Sequence, residues 1–169
     1  MDKQLWIEIA KIGGVIFSSG LVSAVVSFKL NQRKDKAEFL QGKLEILYDV
    51  THRWSRQLWS HYLHLTYVYK NETSYEEFVQ NFLVTEIEGG LLEKAEMLIG
   101  MYFPSMNSEL RKLLQKRESL EEFTRYADKN RTTTYESEDL NRLSVAIFEF
   151  NKESGRMLES IAKKSRFVE

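Results

Sequence analysis

Three histidines are the residues of this chain whose type most readily supports chemistry. His61 and His64 lie one helical turn apart, and Asp49 precedes His52 by three residues. A metal site in a helical bundle ordinarily draws histidines and carboxylates from several helices, commonly as Glu-x-x-His on two of them. Here all three histidines fall in one segment and no Glu-x-x-His occurs. We therefore predict no metal site and no cofactor.

Two carboxylates, Glu93 and Glu96, follow the pair Gly89-Gly90 at a spacing of three residues. Paired carboxylates carry out general acid and base catalysis, so an enzyme with an unrecognised helical carboxylate site is one alternative. The common phosphate-loop, dinucleotide-binding, nucleophile-elbow and zinc-protease motifs do not occur. The chain also has no cysteine, which excludes a thiolate nucleophile and a disulfide framework. We predict no catalytic residues and no enzymatic activity.

The composition limits the other functions. The 169 residues include one proline and eight glycines, and the net charge is −1. So few helix-breaking residues predict long, uninterrupted helices. A chain without excess positive charge or a recognisable module is not expected to bind nucleic acid.

The most apolar stretch precedes a basic one, because residues 12–28 carry no charge. A secretory signal peptide has its positive charge before the apolar run, and an amphipathic core helix would show a polar face. The stretch therefore predicts a transmembrane helix within residues 1–30, although a bilayer needs about 20 apolar residues. The bases that follow predict a cytoplasmic C-terminus and a short external N-terminus, as a single-pass protein of a bacterial inner membrane. These membrane-proximal bases are Lys29, Arg33, Lys34 and Lys36.

Small residues spaced four apart recur within this predicted span. Such pairs allow two helices to approach closely in a bilayer, so we expect homo-oligomers to form through the span, although glycine and serine are common in spans for other reasons. The second of the two main pairs lies deeper in the apolar run and is the favoured contact. The residues are Gly14 with Ser18 and Gly20 with Ala24, besides Ser19 with Ser23.

Helical periodicity continues through residues 31–169 and predicts an all-α domain, an antiparallel four-helix bundle. The first bundle helix carries one apolar stripe over about thirty residues, from Leu40 to Val68, and this stripe includes Trp54 and His61. A second helix begins at the capping-box pair Ser74 and Glu77 and ends at Pro104. The pair Gly89-Gly90 interrupts it, as a helix break or as a hinge.

Two further helices complete the predicted bundle. One runs from about residue 106 to Asn130, and the other begins at Ser137 after a polar loop. The predicted inward-facing stripe of the last helix consists of Leu140, Leu143, Ile147, Phe150, Ser154, Met157 and Ile161.

Charge is unevenly shared between neighbouring helices. Residues 71–109 hold eight acids and one base, and residues 110–131 hold seven bases and four acids. Opposite charges on adjacent rims favour pairing, each pair contributing under about 1 kcal/mol; an acidic docking face for a basic partner is the other interpretation.

The aromatic segment with Trp54 and Trp59 also predicts a patch for a protein partner or for anionic lipid headgroups. The predicted partner surface contains Arg53, Arg56, Trp59, Glu86, Glu88, Glu93 and Glu96.

The order of one span, the basic junction KLNQRKDK, a long helix opening FLQGKLEILYDV and a later EMLIGMYFP turn resembles small bacterial membrane proteins. Proteins of this kind occur beside phage-defence or mobile-element genes. The resemblance implies a membrane partner or effector in an antiviral defence system, and it supplies no catalytic residues.

These features favour a membrane-anchored helical module that binds another protein. A defence- or toxin-type effector is the leading form of this prediction. A passive anchor or regulatory subunit for a soluble partner is the alternative within the same class, and the enzyme described above is the alternative outside it. The expected partners are the lipid bilayer, another protein and further copies of the chain.

Overall fold

The computed structural model describes residues 3–84, 88–131 and 134–166, with side chains from residue 26 onward except for residues 82–84. Five α-helices and one short 3-10 helix (Pro104–Met106) make up these residues, and no strand occurs among them. The predicted all-α class is therefore confirmed. The helices are α1 (Lys3–Tyr69), α2 (Tyr75–Val84), α3 (Leu91–Tyr102), α4 (Asn107–Lys129) and α5 (Ser137–Arg166).

The predicted transmembrane helix is wrong. Among the residues that the structure describes, no helix is long and apolar enough to cross a membrane. The uncharged run of residues 12–28 is shorter than the roughly 20 apolar residues that a bilayer requires, and a charged residue bounds it at each end, Lys11 and Lys29. The single-pass location at the inner membrane, which depended on this span, is overturned with it.

The small residues that were expected to join two spans lie on the backbone of α1. Their side chains are outside the described part of the structure, so the structure says nothing of their contacts. These residues are Gly14, Ser18, Gly20 and Ala24.

The chain divides into two compact units, residues 1–41 and residues 42–169. In the first unit, residues 26–36 are all exposed. An ion pair of 3.7 Å joins Lys34 to Glu38 one turn later.

In the second unit, the arms of the bundle run alternately up and down. The ring of Phe78 on α2 lies 4.9 Å from the ring of His61 on α1. Further along the chain, the Tyr102 ring at the end of α3 lies 5.6 Å from the ammonium of Lys43. The contact on α1 therefore moves back from His61 to Lys43 as the chain advances from α2 to α3. These two helices together form one arm that runs antiparallel to α1.

Helix α5 also runs antiparallel to α1. The ring of Tyr135, just before α5, lies 4.4 Å from the ring of Tyr69, and the ring of Phe150 in the middle of α5 lies 6.1 Å from that of Trp54. Helices α4 and α5 pack against each other, and a loop of a few residues connects them. The order is the predicted up-and-down order, with the second arm divided into α2 and α3.

The core contains the apolar stripes that the sequence predicts. On α5 the buried residues agree with the predicted stripe from Leu143 to Ile161, and half-buried Leu140 lies at its edge. On α1 the stripe is buried at Leu44, Leu47 and Leu65, whereas His61 is only half-buried. Each fully buried leucine or phenylalanine contributes about 1.5–3 kcal/mol relative to an exposed one.

Two of the predicted helix boundaries are formed by specific local contacts. The main-chain N–H of Glu77 donates to Ser74 Oγ, and the N–H of Ser74 donates to Glu77 Oε2, each over 3.1 Å. This is the predicted capping box at the start of α2. Gly90, with φ of 79°, directly precedes α3, and its left-handed backbone is one that glycine adopts without strain. The second arm therefore breaks at the predicted glycine pair.

A turn and a loop are joined at one end of the bundle. Asn71, with φ of 61°, accepts a hydrogen bond of 3.0 Å from the N–H of Tyr135 at Oδ1. Its Nδ2 donates to the Tyr135 carbonyl over 3.3 Å. The two bonds tie the α1–α2 turn to the α4–α5 loop and thereby fix the helices that carry the surfaces described below.

Candidate functional site

Arg53 and Glu88, two members of the predicted partner surface, pair with each other. An Arg53 guanidinium nitrogen lies 2.6 Å from a carboxylate oxygen of Glu88, and a second lies 2.7 Å from Asp49. All three side chains are partly exposed, so each pair contributes at most about 1 kcal/mol. Arg53 is therefore tied to carboxylates within its own bundle.

The two tryptophans of the predicted aromatic patch have different environments. Trp54 keeps only 8% of its surface exposed, and its ring meets Phe150 edge to face. Trp59 remains 41% exposed, and Arg56 is exposed on the same helix. At about 100° per residue, Trp59 lies about 120° around α1 from Arg53. The aromatic part of the surface is therefore limited to Trp59 and its immediate neighbours.

The remaining acids of the predicted surface lie on α3, apart from Glu86, which is outside the described residues. Glu93 and Glu96 are exposed, and so are Met97 and Met101. Their positions cover an arc of about 140° on the helix, with Gly100 in its middle. We call this surface the methionine–glutamate face; it consists of Glu93, Glu96, Met97, Gly100 and Met101.

The opposite side of α3 holds the helix in place. Leu91, Ala95, Leu98 and Ile99 are all buried, so the methionine–glutamate face is not needed for the core. Met97 and Met101 nevertheless keep 52% and 64% of their surface exposed. Methionine is flexible and polarisable, and it is frequent on surfaces that adapt to partners.

Two acids and one base contribute the charge at this face, because exposed Lys94 lies about 20° around α3 from Met101. Lys94 is the single base among residues 71–109, and within the described residues no ion pair joins Glu93 or Glu96 to a base. Farther along, a hydrogen bond from Ser108 lowers the pKa of Glu109, which keeps that carboxylate charged.

The sequence identified the two glutamates but missed the methionines and Gly100. A detectable pattern was present in the segment EKAEMLIGM. Met97 and Met101 are four residues apart and fall outside the buried stripe of Leu91, Ala95 and Leu98. Apolar residues that share a face away from the core stripe indicate a contact surface.

The placement of Glu93 and Glu96 bears on the enzyme alternative. Both carboxylates point away from the core on the exposed side of α3. Catalytic carboxylates ordinarily lie in clefts, where burial and neighbouring charges adjust their pKa. An exposed helix face instead suits contact with a macromolecule.

The histidines occupy three different environments. Half-buried His61 packs against Phe78 and Tyr62, at 4.9 and 5.1 Å between ring centroids. Burial, and to a smaller extent the nearby His64, lowers the pKa of His61 to about 4. His64 Nδ1 lies 2.7 Å from the carbonyl of Ser60. In the part of the chain that the structure describes, no three histidine, aspartate or glutamate side chains are grouped to hold a metal ion.

A second exposed apolar pair lies on α5. Val145 and Phe148 are both exposed, and Val145 lines a shallow groove between α4 and α5 with Phe123 and Lys116. This groove has no concentration of one charge, because Arg142 and Glu149 also line it. It is useful below as a control surface.

In comparisons with protein-family models, curated proteins and solved structures, no match to the chain is found. The resemblance to small bacterial membrane proteins therefore stays a prediction. The function has to be argued from the surface itself.

Proposed function

We propose that this chain is a protein-interaction module without enzymatic activity. Its methionine–glutamate face on α3 binds a basic, amphipathic segment of a partner protein. The observation that carries the proposal is the exposure of Met97 and Met101, at 52% and 64% of their surface, one helical turn apart. Single exposed apolar residues are common and need no explanation. Two exposed methionines beside two exposed acids make an adaptable contact surface.

The charge of the face selects the partner. Glu93 and Glu96 lie beside the methionines, along one edge of the face, and form no ion pair with a base among the described residues. A partner segment with lysines or arginines beside an apolar stripe matches both features, since its apolar side chains contact the thioethers while its bases face the carboxylates. An acidic segment is repelled by the same carboxylates. The proposal therefore concerns one kind of occupant.

A synthetic peptide tests this directly. The probe is an amphipathic helix with leucine on one face and lysine on the other, compared with the same helix carrying glutamate instead of lysine. Fluorescence anisotropy of the labelled peptides gives the dissociation constants with the full chain. We expect the lysine peptide to bind more tightly, and its affinity to fall as salt is raised because the charges are at the surface.

Variants locate the contact. The double change Met97→Ser and Met101→Ser is expected to weaken binding at least tenfold, because exposed apolar anchors carry much of the energy of such interfaces. The matched control is Val145→Ser with Phe148→Ser on α5, which removes an equally exposed apolar pair. Glu93→Gln with Glu96→Gln is expected to abolish the preference for lysine. Glu122→Gln with Glu159→Gln, which removes exposed acids of α4 and α5, is expected to retain it. If the methionine variant and the α5 control variant lose the same affinity for the lysine peptide, the peptide binds elsewhere on the chain.

The biological role proposed for this module is that of a defence- or toxin-type effector that acts through its partner. A regulatory subunit that holds a partner inactive is the alternative. Both act by binding, and growth separates them. Overproduction of an effector slows growth, and Met97→Ser with Met101→Ser relieves the effect. A regulatory subunit copurifies with its partner and leaves growth unchanged.

A further inference from the structure

A stripe of basic residues lies along the first unit of the chain. Lys29, Arg33 and Lys36 follow one another at spacings of four and three residues, and all three are exposed. At about 100° per residue, their positions fall within about 60° on α1. We call these three residues the basic stripe.

Acids are kept away from the basic stripe. Asp35 and Glu38 are the two acids of residues 26–41, and both lie about 120° or more around the helix from the middle of the stripe. Lys34 lies outside the stripe, and its ammonium is 3.7 Å from a carboxylate oxygen of Glu38. Three bases therefore act together on one side of the helix.

Apolar side chains border the basic stripe on both sides. Phe28 and Leu30 flank Lys29 in the sequence, each about 100° around the helix from it, and they are 63% and 58% exposed. Phe39 follows Phe28 by eleven residues, so it lies within about 20° of the same line and is also exposed. Bases bordered by exposed apolar residues form a surface that is both cationic and amphipathic.

We propose that the basic stripe, with Phe28 and Leu30, binds the surface of an anionic lipid layer. Ammonium and guanidinium groups attract anionic headgroups, and phenyl and isobutyl groups enter the boundary between headgroups and acyl chains. The exposed apolar residues favour lipid over nucleic acid, because the phosphate backbone of a nucleic acid would contact only the lysine and arginine side chains. This is a contact at the lipid surface and involves no span. It is also independent of the methionine–glutamate face.

Vesicle cosedimentation of the full chain tests the proposal. The probes are phosphatidylcholine vesicles with and without phosphatidylserine. We expect binding to require phosphatidylserine and to weaken as salt is raised. The triple variant Lys29→Gln, Arg33→Gln and Lys36→Gln should bind about fivefold less tightly per base removed, about a hundredfold in all. Glutamine is a good helix former, so this variant retains the helix, which circular dichroism verifies.

A matched triple variant controls for total charge. Arg111→Gln, Lys112→Gln and Arg125→Gln remove three exposed bases of α4 and are expected to leave vesicle binding unchanged. Phe28→Ala is expected to weaken binding without removing its dependence on phosphatidylserine. The proposal is wrong if both triple variants bind alike, or if neutral and anionic vesicles bind equally. It is also wrong if the stripe variant loses affinity only for a labelled single-stranded oligonucleotide.

Discussion

The hydroxyl of Tyr69, the last residue of α1, donates a hydrogen bond of 2.9 Å to the main-chain carbonyl of Phe123 on α4. The two rings also meet edge to face at 6.1 Å. Burial, followed by the neighbouring Tyr135 and Asp139, raises the pKa of Tyr69 well above its usual range. The hydroxyl therefore stays protonated and available as a donor, and it joins the end of α1 to α4.

Removing this hydroxyl should destabilise the bundle. Tyr69→Phe keeps the ring but loses the donor, so we expect the free energy of unfolding to fall by about 1–2 kcal/mol. Urea denaturation measures the change. Tyr67→Phe, at an exposed tyrosine of the same helix, is the control and should change stability by less than about 0.5 kcal/mol. Equal effects at the two positions would contradict a role for the Phe123 bond.

Replacing each of the two tryptophans of α1 by alanine should lower the stability by very different amounts. Trp54 is buried against Phe150, so Trp54→Ala should lower the free energy of unfolding by about 3–5 kcal/mol. Trp59→Ala, at an exposed position, should cost under about 1 kcal/mol. Denaturation of both variants, followed by circular dichroism, gives the comparison. A larger loss at Trp59 would mean that the burial of the two rings is reversed.

The capping box at the start of α2 predicts non-additive effects. Ser74→Ala should lower stability by about 1 kcal/mol, because it leaves the N–H of Glu77 without its acceptor. Glu77→Ala removes the reciprocal bond to the N–H of Ser74. In a double-mutant cycle we expect the combined loss to differ from the sum of the single losses, since each side chain positions the other. Strict additivity would show that the two bonds are independent.

The helix pattern could be predicted from the sequence because it depends on local rules. The stripe of α5 and the Ser74–Glu77 cap follow from periodicity and from residue type over a few positions. The break before α3 followed from the glycine pair, and Gly90 supplies the left-handed backbone there. Each of these features depends on residues that lie within one or two helical turns of each other.

The surfaces were harder to predict because they depend on what the rest of the fold leaves uncovered. Arg53 belonged to a plausible patch in the sequence, but Glu88, 35 residues away, neutralises it in the bundle. Met97 and Met101 are core residues by type, and their spacing indicates an exposed face only once Leu91, Ala95 and Leu98 are taken as the buried side of α3. The predicted span was wrong because its uncharged run, residues 12–28, is shorter than the roughly 20 apolar residues that a bilayer requires.

His61 predicts a loss of stability in mild acid. Its pKa is about 4 in the folded protein, against about 6.5 in an unfolded chain. Between these values the unfolded state binds more protons, so the free energy of unfolding falls as the pH is lowered from 6.5 to 4. The slope from this residue is at most about 1.4 kcal/mol per pH unit.

A substitution isolates this contribution from the carboxylates that titrate in the same range. His61→Gln should flatten the pH dependence of stability between pH 6.5 and 4, as measured by urea denaturation at several pH values. His52→Gln makes the same substitution at an exposed histidine stacked on Tyr48, and it serves as the control for the substitution itself. An unchanged slope in His61→Gln would mean that this imidazole titrates normally in the fold.

The last prediction separates stability from binding at Gly100. A Cβ added at this exposed glycine of α3 meets no atom within 4 Å, so Gly100→Ala should stabilise the helix by about 0.5–1 kcal/mol. The added methyl group stands near the middle of the methionine–glutamate face, between the positions of Glu96 and Met97 around the helix. There it should hold a bound helix farther away and weaken the affinity for the lysine peptide severalfold. Gly155→Ala on α5, equally open, should give the same gain in stability with no change in peptide affinity. If the two alanine variants bind the peptide equally well, the partner does not approach α3 at Gly100, and the proposed contact on this face is wrong.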